Sequence, residues 1–174
     1  MFNLSEIKEY AFQRRPDGLI VDTEILILLL VGTYNPALIQ KCELTSNKHF
    51  NTDDFQLLEK VVACFKKVFI TPQVLAELSN LKPFTGEYLR GYFQGVVRYL
   101  KSAEERHIPL RNLLGIEVEV ICNYGFTDLS IFELAKHTKM PILTDDLRFY
   151  NYSFKNKVPV IKWEHIRSAP IALG

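Results

Sequence analysis

Four times along this chain, a short apolar run or the helix after it delivers a carboxylate at the junction. Leu19-Ile20-Val21 is followed by Asp22, and Val68-Phe69-Ile70 leads through Thr71-Pro72 into a helix carrying Glu77. Gly125-Phe126-Thr127 leads to Asp128, and Ile142-Leu143-Thr144 ends in Asp145-Asp146. Short apolar strands separated by helical stretches specify an α/β domain, a three-layer α/β/α arrangement around a mainly parallel sheet. In open parallel sheets, ligand sites form beyond the carboxyl ends of the strands. Acids that follow strands therefore gather at one edge, where two unit charges about 4 Å apart repel by roughly 4 kcal/mol at an effective dielectric near 20. A divalent metal ion is the usual offset.

The intervening segments have recognisable periods. Residues 3–13 read as an amphipathic helix with Leu4, Ile7, Tyr10 and Ala11 on one face, and Arg15-Pro16-Asp17-Gly18 reads as a turn. Thr23 to Val31 is hydrophobic all round, a helix buried on most sides and bounded by Gly32. Residues 33–52 are polar and turn-rich, the least structured stretch expected. Thr52 or Asp53 caps a helix through Lys67 with a stripe of Phe55, Leu58, Val62 and Phe65. Thr71-Pro72 starts the next helix, with Val74, Leu75 and Leu78 inward and Glu77 in its second turn. Gly86 to Arg106 places Leu89, Phe93, Val96, Val97 and Leu100 at helical spacing. Residues 109–123 fit a strand through Ile116, Val118 and Val120, or a helix through Leu110, Leu113, Leu114 and Ile121, and helix is preferred. Thr127 caps a helix from Asp128 to His137, and Pro141–Thr144 and Val158–Trp163 are the last strands.

A length of 174 residues, without repeats or a linker, suits a single domain over 1–174. With 21 basic and 20 acidic residues, the net charge of +1 announces no polyanionic partner. Cys42, Cys64 and Cys122 form no CxxC and read as reduced core thiols. The amino terminus lacks a signal-peptide core, and the most apolar run, Ile25 to Val31, is far short of the roughly 20 residues needed to cross a bilayer. A cytoplasmic location with no membrane association is the expectation.

An oxygen-only donor set favours Mg²⁺ or Mn²⁺, which bind through a few carboxylates and keep several waters. Such a pocket suits in-line attack of an activated water on a phosphodiester. The order LIVDT, ITPQVLAEL, GFTDLSIFELA, PILTDD resembles the PIN-domain family of metal-dependent ribonucleases, which includes toxins of bacterial toxin–antitoxin pairs; the resemblance covers roughly residues 18–164. It implies that Asp22, Glu77, Asp128 and Asp146 are the catalytic acids that hold Mg²⁺ or Mn²⁺, and that Thr144 orients a carboxylate. The doublet leaves Asp145 as a second candidate for the last metal ligand, with Asp146 favoured by register. An RNA substrate, an antitoxin partner and homodimerisation follow from the same resemblance. Two departures stand out. Glu24 occupies a position usually held by Asn or Ser, where it either adds a carboxylate or faces solvent. Residues 1–17 form an amino-terminal extension.

Each motif also has a plainer explanation. Asp128 suits a helix amino terminus, Glu77 an exposed helix position, and one of Asp145 and Asp146 a cap for the segment LRFYNY. Asp22 is harder to dismiss, since it lies between two apolar segments and unpaired burial is costly. Arg148, just after the doublet, is a candidate for the substrate backbone, beside Lys66, Lys67, Lys155, Lys157, Lys162 and Arg167. Tyr150, Tyr152 and Phe154 suit either base stacking or the core. His49, His107, His137 and His165 lack ligand spacing. A catalytically silent PIN-like module that binds RNA or a protein is the rival class. A haloacid dehalogenase-like phosphatase would need an Asp-x-Asp that Asp22-Thr23-Glu24 does not supply.

Overall fold

The computed structural model describes residues 4–14 and 16–169; residue 3 of the expected first helix and Arg15 of the expected turn lie outside them. The chain opens with α1 (Leu4–Arg14), whose Ile7 is fully buried and whose Leu4, Tyr10 and Ala11 pack against the core. Strand β1 (Leu19–Val21) is buried at every position and runs straight into α2 (Thr23–Tyr34). That helix buries Thr23 and everything from Ile25 to Gly32, as its unbroken apolar sequence requires. Gly32 does not end it. A Cβ at Gly32 would fall 2.1 Å from Cδ2 of Phe55, so this glycine lets an aromatic ring lie against the helix backbone.

Residues 33–52 are more ordered than their polarity suggests. After a 3₁₀ turn (Pro36–Leu38) comes α3 (Glu43–Ser46), and Ile39, Cys42, Thr45 and Phe50 are at most 1% exposed. Next is α4 (Thr52–Val62), capped one residue earlier than expected by Asn51 and Asp54 in a reciprocal capping box. It stops at Val62, short of Lys67, and buries Phe55, Leu58 and Val61. Strand β2 (Val68–Ile70) and α5 (Pro72–Asn80, capped by Thr71) follow the sequence closely.

Helix α6 (Gly86–Leu100) is shorter than expected and rotated, turning Tyr92 and Val96 inward and leaving Val97 exposed. The remainder of that stretch is a short strand, β3 (Glu104–Glu105), whose two glutamates gave no apolar signal. Residues 109–123 are helical, as α7 (Leu110–Leu114) and the start of α8 (Val118–Thr138). Within α8 the break falls at Gly125 (φ 69°, ψ 175°), so Thr127 lies inside the resumed helix rather than capping it. Then come β4 (Ile142–Thr144), α9 (Leu147–Lys155), β5 (Val160–Lys162) and α10 (Trp163–Arg167). Trp163, expected to end the last strand, opens α10 and is fully buried.

All strand pairs are parallel, in the order β3-β2-β1-β4-β5, with helices flanking the sheet in an α/β/α arrangement. The order reverses between β1 and β4, the switch point where connections leave toward opposite faces and open a crevice. Val21 pairs with Leu143, so Asp22 and Thr144 lie side by side at that switch point. Among the described residues, no helix is long and apolar enough to cross a membrane.

Candidate metal centre

Asp22 continues β1 and caps α2, its Oδ1 accepting from the Ile25 amide at 3.0 Å. Only 5% of it is exposed, and burial pushes its carboxyl up to about 7 against hydrogen bonds from Thr144 and Ile25. Glu24 and Asp128 add like-charge repulsion. Thr144, fully buried at the end of β4, also accepts from the Asp146 amide at 3.0 Å. Its hydroxyl thus ties the acid after β1 to the doublet after β4.

Asp146 is the residue of the doublet that caps α9, its Oδ1 accepting from the amides of Arg148 (2.6 Å) and Phe149 (2.9 Å). A carboxylate has two oxygens and a cap uses one, so capping and ion binding are compatible here. Asp145 is half-buried. Burial raises its carboxyl, Arg167 and Lys48 pull it down, and Glu24 and Glu164 raise it again.

Asp128 follows the Gly125 break, which lets α8 restart with that carboxylate in its first turn. Burial raises it to about 7, helped by Asp146, Glu77 and Glu24 and opposed by Arg148. Glu77 reaches in from α5, its Oε2 accepting from the Thr23 hydroxyl at 2.6 Å. A second hydroxyl pair fixes the two outer helices. Thr71, the cap of α5, lies 2.7 Å from Ser130 Oγ on α8, and Ser130 donates to the Thr127 carbonyl at 2.7 Å. Both hydroxyls are fully buried. The sequence does not single out Thr23 and Ser130 in these roles, because the groups they bond, Glu77 and Thr71, lie more than 50 residues away along the chain.

Asp22, Glu77, Asp128 and Asp146 therefore share one electrostatic neighbourhood, and Glu24 joins them. Its charge acts on Asp22, Asp128 and Asp145. One of its oxygens, Oε1, takes the Lys48 ammonium at 2.8 Å, while Oε2 is buried with no hydrogen-bond partner. Burial would lower the Lys48 ammonium, but Glu24, Asp145 and Asp146 outweigh it and hold it above its ordinary value.

An orphaned carboxylate oxygen amid coupled acids is chemistry that fits a hard divalent cation. Among the described residues, no three His, Cys, Asp or Glu side chains stand already grouped around a common ion position. Mg²⁺ and Mn²⁺ need few direct protein ligands, since they keep several waters.

Besides Lys48, Arg148 and Arg167 act on this edge. Arg148 donates to the Asn123 carbonyl at 3.1 Å beside the Tyr124 ring, and Arg167 pairs with Asp54 at 3.0 Å and donates to the His49 carbonyl at 3.0 Å. Lys162 bonds Glu164, and Lys67 pairs with Glu104. Lys155 and Lys157 line an open cavity of ≈ 970 Å³ with Lys139, Pro141 and Val158, at the amino-terminal end of β4 and β5 and away from the acids. The aromatic run divides as well. Tyr152 packs on Tyr124 and Phe132 with ring centroids at 4.5 and 4.8 Å, whereas Phe154 is 67% exposed near that distant cavity. A continuous basic and aromatic groove is therefore not assembled from these residues. Cys42 is buried, Cys64 half-buried and Cys122 exposed, all as free thiols.

No protein-family model matches the sequence, and no curated protein matches it. Among solved structures, the chain is similar to "A domain of a functionally unknown protein from Methanocaldococcus jannaschii DSM 2661". The identity is 15% and the TM-score 0.42, over 84% of this chain and 90% of that one.

Proposed function

We propose that this chain is a PIN-like endoribonuclease that hydrolyses RNA phosphodiester bonds with Mg²⁺ or Mn²⁺. The observation that carries this reading is the electrostatic convergence of Asp22, Glu77, Asp128 and Asp146 at the sheet's switch point. Asp22 and Asp128 are raised to about 7, chiefly by burial and further by the neighbouring acids, as befits carboxylates held at a site that awaits positive charge.

These four acids would hold the ion, with Asp145 the alternative to Asp146. An ion held there would lower the pKa of a bound water and offset charge developing on the phosphate. The chain's own residues do the positioning. Thr144 aims the Asp22 carboxylate, Thr23 aims Glu77, and the Thr71–Ser130 pair sets α5 against α8. Arg148, beside Asp128, is a weaker candidate for the RNA backbone.

A toxin-like role, an antitoxin partner and homodimerisation extend the proposal, as does a cytoplasmic location. Leu110, Leu114 and Val118, each more than 60% exposed on α7 and the start of α8, support a protein-binding face. The silent binding module is favoured by one observation: Lys48 already supplies positive charge to this edge.

The test is incubation of mixed-sequence single-stranded RNA and DNA with the protein in Mg²⁺, Mn²⁺ or EDTA. Metal-dependent RNA cleavage, lost in Asp22→Asn, is the expected outcome. A folded protein that cuts nothing in either metal would replace this reading with the silent module.

A further inference from the structure

Lys48 is presented to the acid edge by a segment built to hold it there. The segment is pinned on both sides of the lysine: Thr45 is fully buried and donates to the Cys42 carbonyl at 3.0 Å, and Phe50 is 1% exposed, its amide donating to the Thr45 carbonyl at 3.1 Å. Between them, His49 adopts a left-handed conformation (φ 55°), which few non-glycine residues hold without support from their surroundings. Arg167 supplies that support, donating to the His49 carbonyl and lying over the Phe50 ring at 5.6 Å. The turn throws the Lys48 ammonium onto Glu24, within the field of Asp145 and Asp146.

The cations bordering this edge are committed differently. Arg167 is bound to Asp54 and to a carbonyl, and Arg148 is bound to the Asn123 carbonyl. Lys48 pairs with Glu24 alone among the ion pairs of the described residues, and its side chain stays 41% exposed. An ammonium has three donors, so it can keep Glu24 and still meet a phosphate oxygen. Glu24 thereby acquires a purpose at a position that has no obvious need for a charge.

The geometry points to Lys48 as the residue that binds the substrate phosphate at this acid edge, with Glu24 as its positioning partner. The inference rests on the nuclease reading above and deepens it. A cation so placed has two opposite consequences. It attracts the RNA backbone, and it repels a divalent ion from the neighbouring carboxylates.

The test compares Lys48→Met, Lys48→Arg and Glu24→Gln with wild type, folding being checked by circular dichroism. Mn²⁺ affinity is read by calorimetry, and KM and kcat on a fluorescein-labelled 20-nucleotide RNA in saturating Mn²⁺. If wild type leaves the RNA whole, its Kd by anisotropy replaces KM. Lys48→Met is expected to tighten Mn²⁺ several-fold while KM or Kd rises about tenfold, the loss falling on KM more than on kcat. Lys48→Arg restores both, and Glu24→Gln weakens both Mn²⁺ and RNA. An unchanged KM or Kd in folded Lys48→Met overturns the inference, as does weakening of Mn²⁺ and RNA together in that variant, the signature of a merely structural lysine. Failure of wild type to bind Mn²⁺ or cleave RNA strikes the nuclease reading instead, and the anisotropy arm still decides whether Lys48 binds phosphate.

Discussion

The hydroxyl of Thr23 donates to Oε2 of Glu77 at 2.6 Å, joining the first residue of α2 to the second turn of α5. Thr23 is buried, so this bond holds a carboxylate that reaches the acid edge from a strand other than the one preceding α2. Replacing Thr23 by valine keeps shape and removes the donor. The expected cost is about 1–2 kcal/mol, a fall in melting temperature of a few degrees. Mn²⁺ affinity should fall as well. A valine variant with reduced stability but undiminished Mn²⁺ affinity would place Glu77 outside the metal centre.

Stability without metal should depend on pH in an unusual direction. Native Asp22 holds its proton up to about 7, against 3.8 for the free side chain. Between those values the native state binds more protons than the unfolded chain, so stability falls as pH rises. The contribution is fully present below about pH 4 and lost as pH passes 7, and for Asp22 it is at most on the order of 4 kcal/mol. Asp128, also raised to about 7, acts in the same sense. Urea melts in EDTA from pH 5 to 8 should show wild type losing ground to Asp22→Asn, since asparagine keeps the cap on α2 without the charge. A constant difference between the two proteins over that range would refute the assignment.

Asp146 separates capping from chemistry. Asp146→Asn retains an acceptor for the Arg148 and Phe149 amides and should melt within a degree or two of wild type, yet lose metal-dependent cleavage. Asp146→Ala should lose cleavage and about 1 kcal/mol besides. If Asp145→Asn abolishes cleavage and Asp146→Asn does not, the ligand of the doublet is Asp145.

Gly32→Ala tests the packing behind the site. Alanine favours a helix interior by about 1 kcal/mol, but its Cβ would meet the Phe55 ring at 2.1 Å. A net destabilisation of about 1–3 kcal/mol by chemical denaturation is expected, and Phe55→Leu in the same chain should recover part of it. A stabilised alanine variant would mean that α4 is free to move off α2.

Where one signal dominated, the sequence was sufficient. The apolar triplets before Asp22, Thr71 and Asp145 are β1, β2 and β4, and Thr71-Pro72 starts α5, because burial and capping act there on neighbouring residues. Asp22 could be placed at the carboxyl edge in advance, since it follows a strand, but its hydrogen bond from Thr144 needs the β1–β4 register and is not written in either segment alone. Strand β3 could not be read, being two glutamates whose pairing with Phe69 and Ile70 is a long-range matter. Gly32 misled because a helix-ending glycine and a close-packed one look alike without Phe55 beside them. Residues 33–52 misled in another way. Their anchors, Ile39, Cys42, Thr45 and Phe50, are spaced without a period, so polarity hid a segment that carries Lys48 to the acids.

The central claim is that the carboxylates at the end of β1 and β4 hold a divalent ion, and Mn²⁺ soaked into crystals of the protein tests it most directly. Diffraction recorded near the manganese absorption edge should give an anomalous peak among Asp22, Asp128 and Asp146, absent from crystals of Asp22→Asn. Crystals that show no peak at that edge, or a peak only elsewhere on the molecule, would contradict the account.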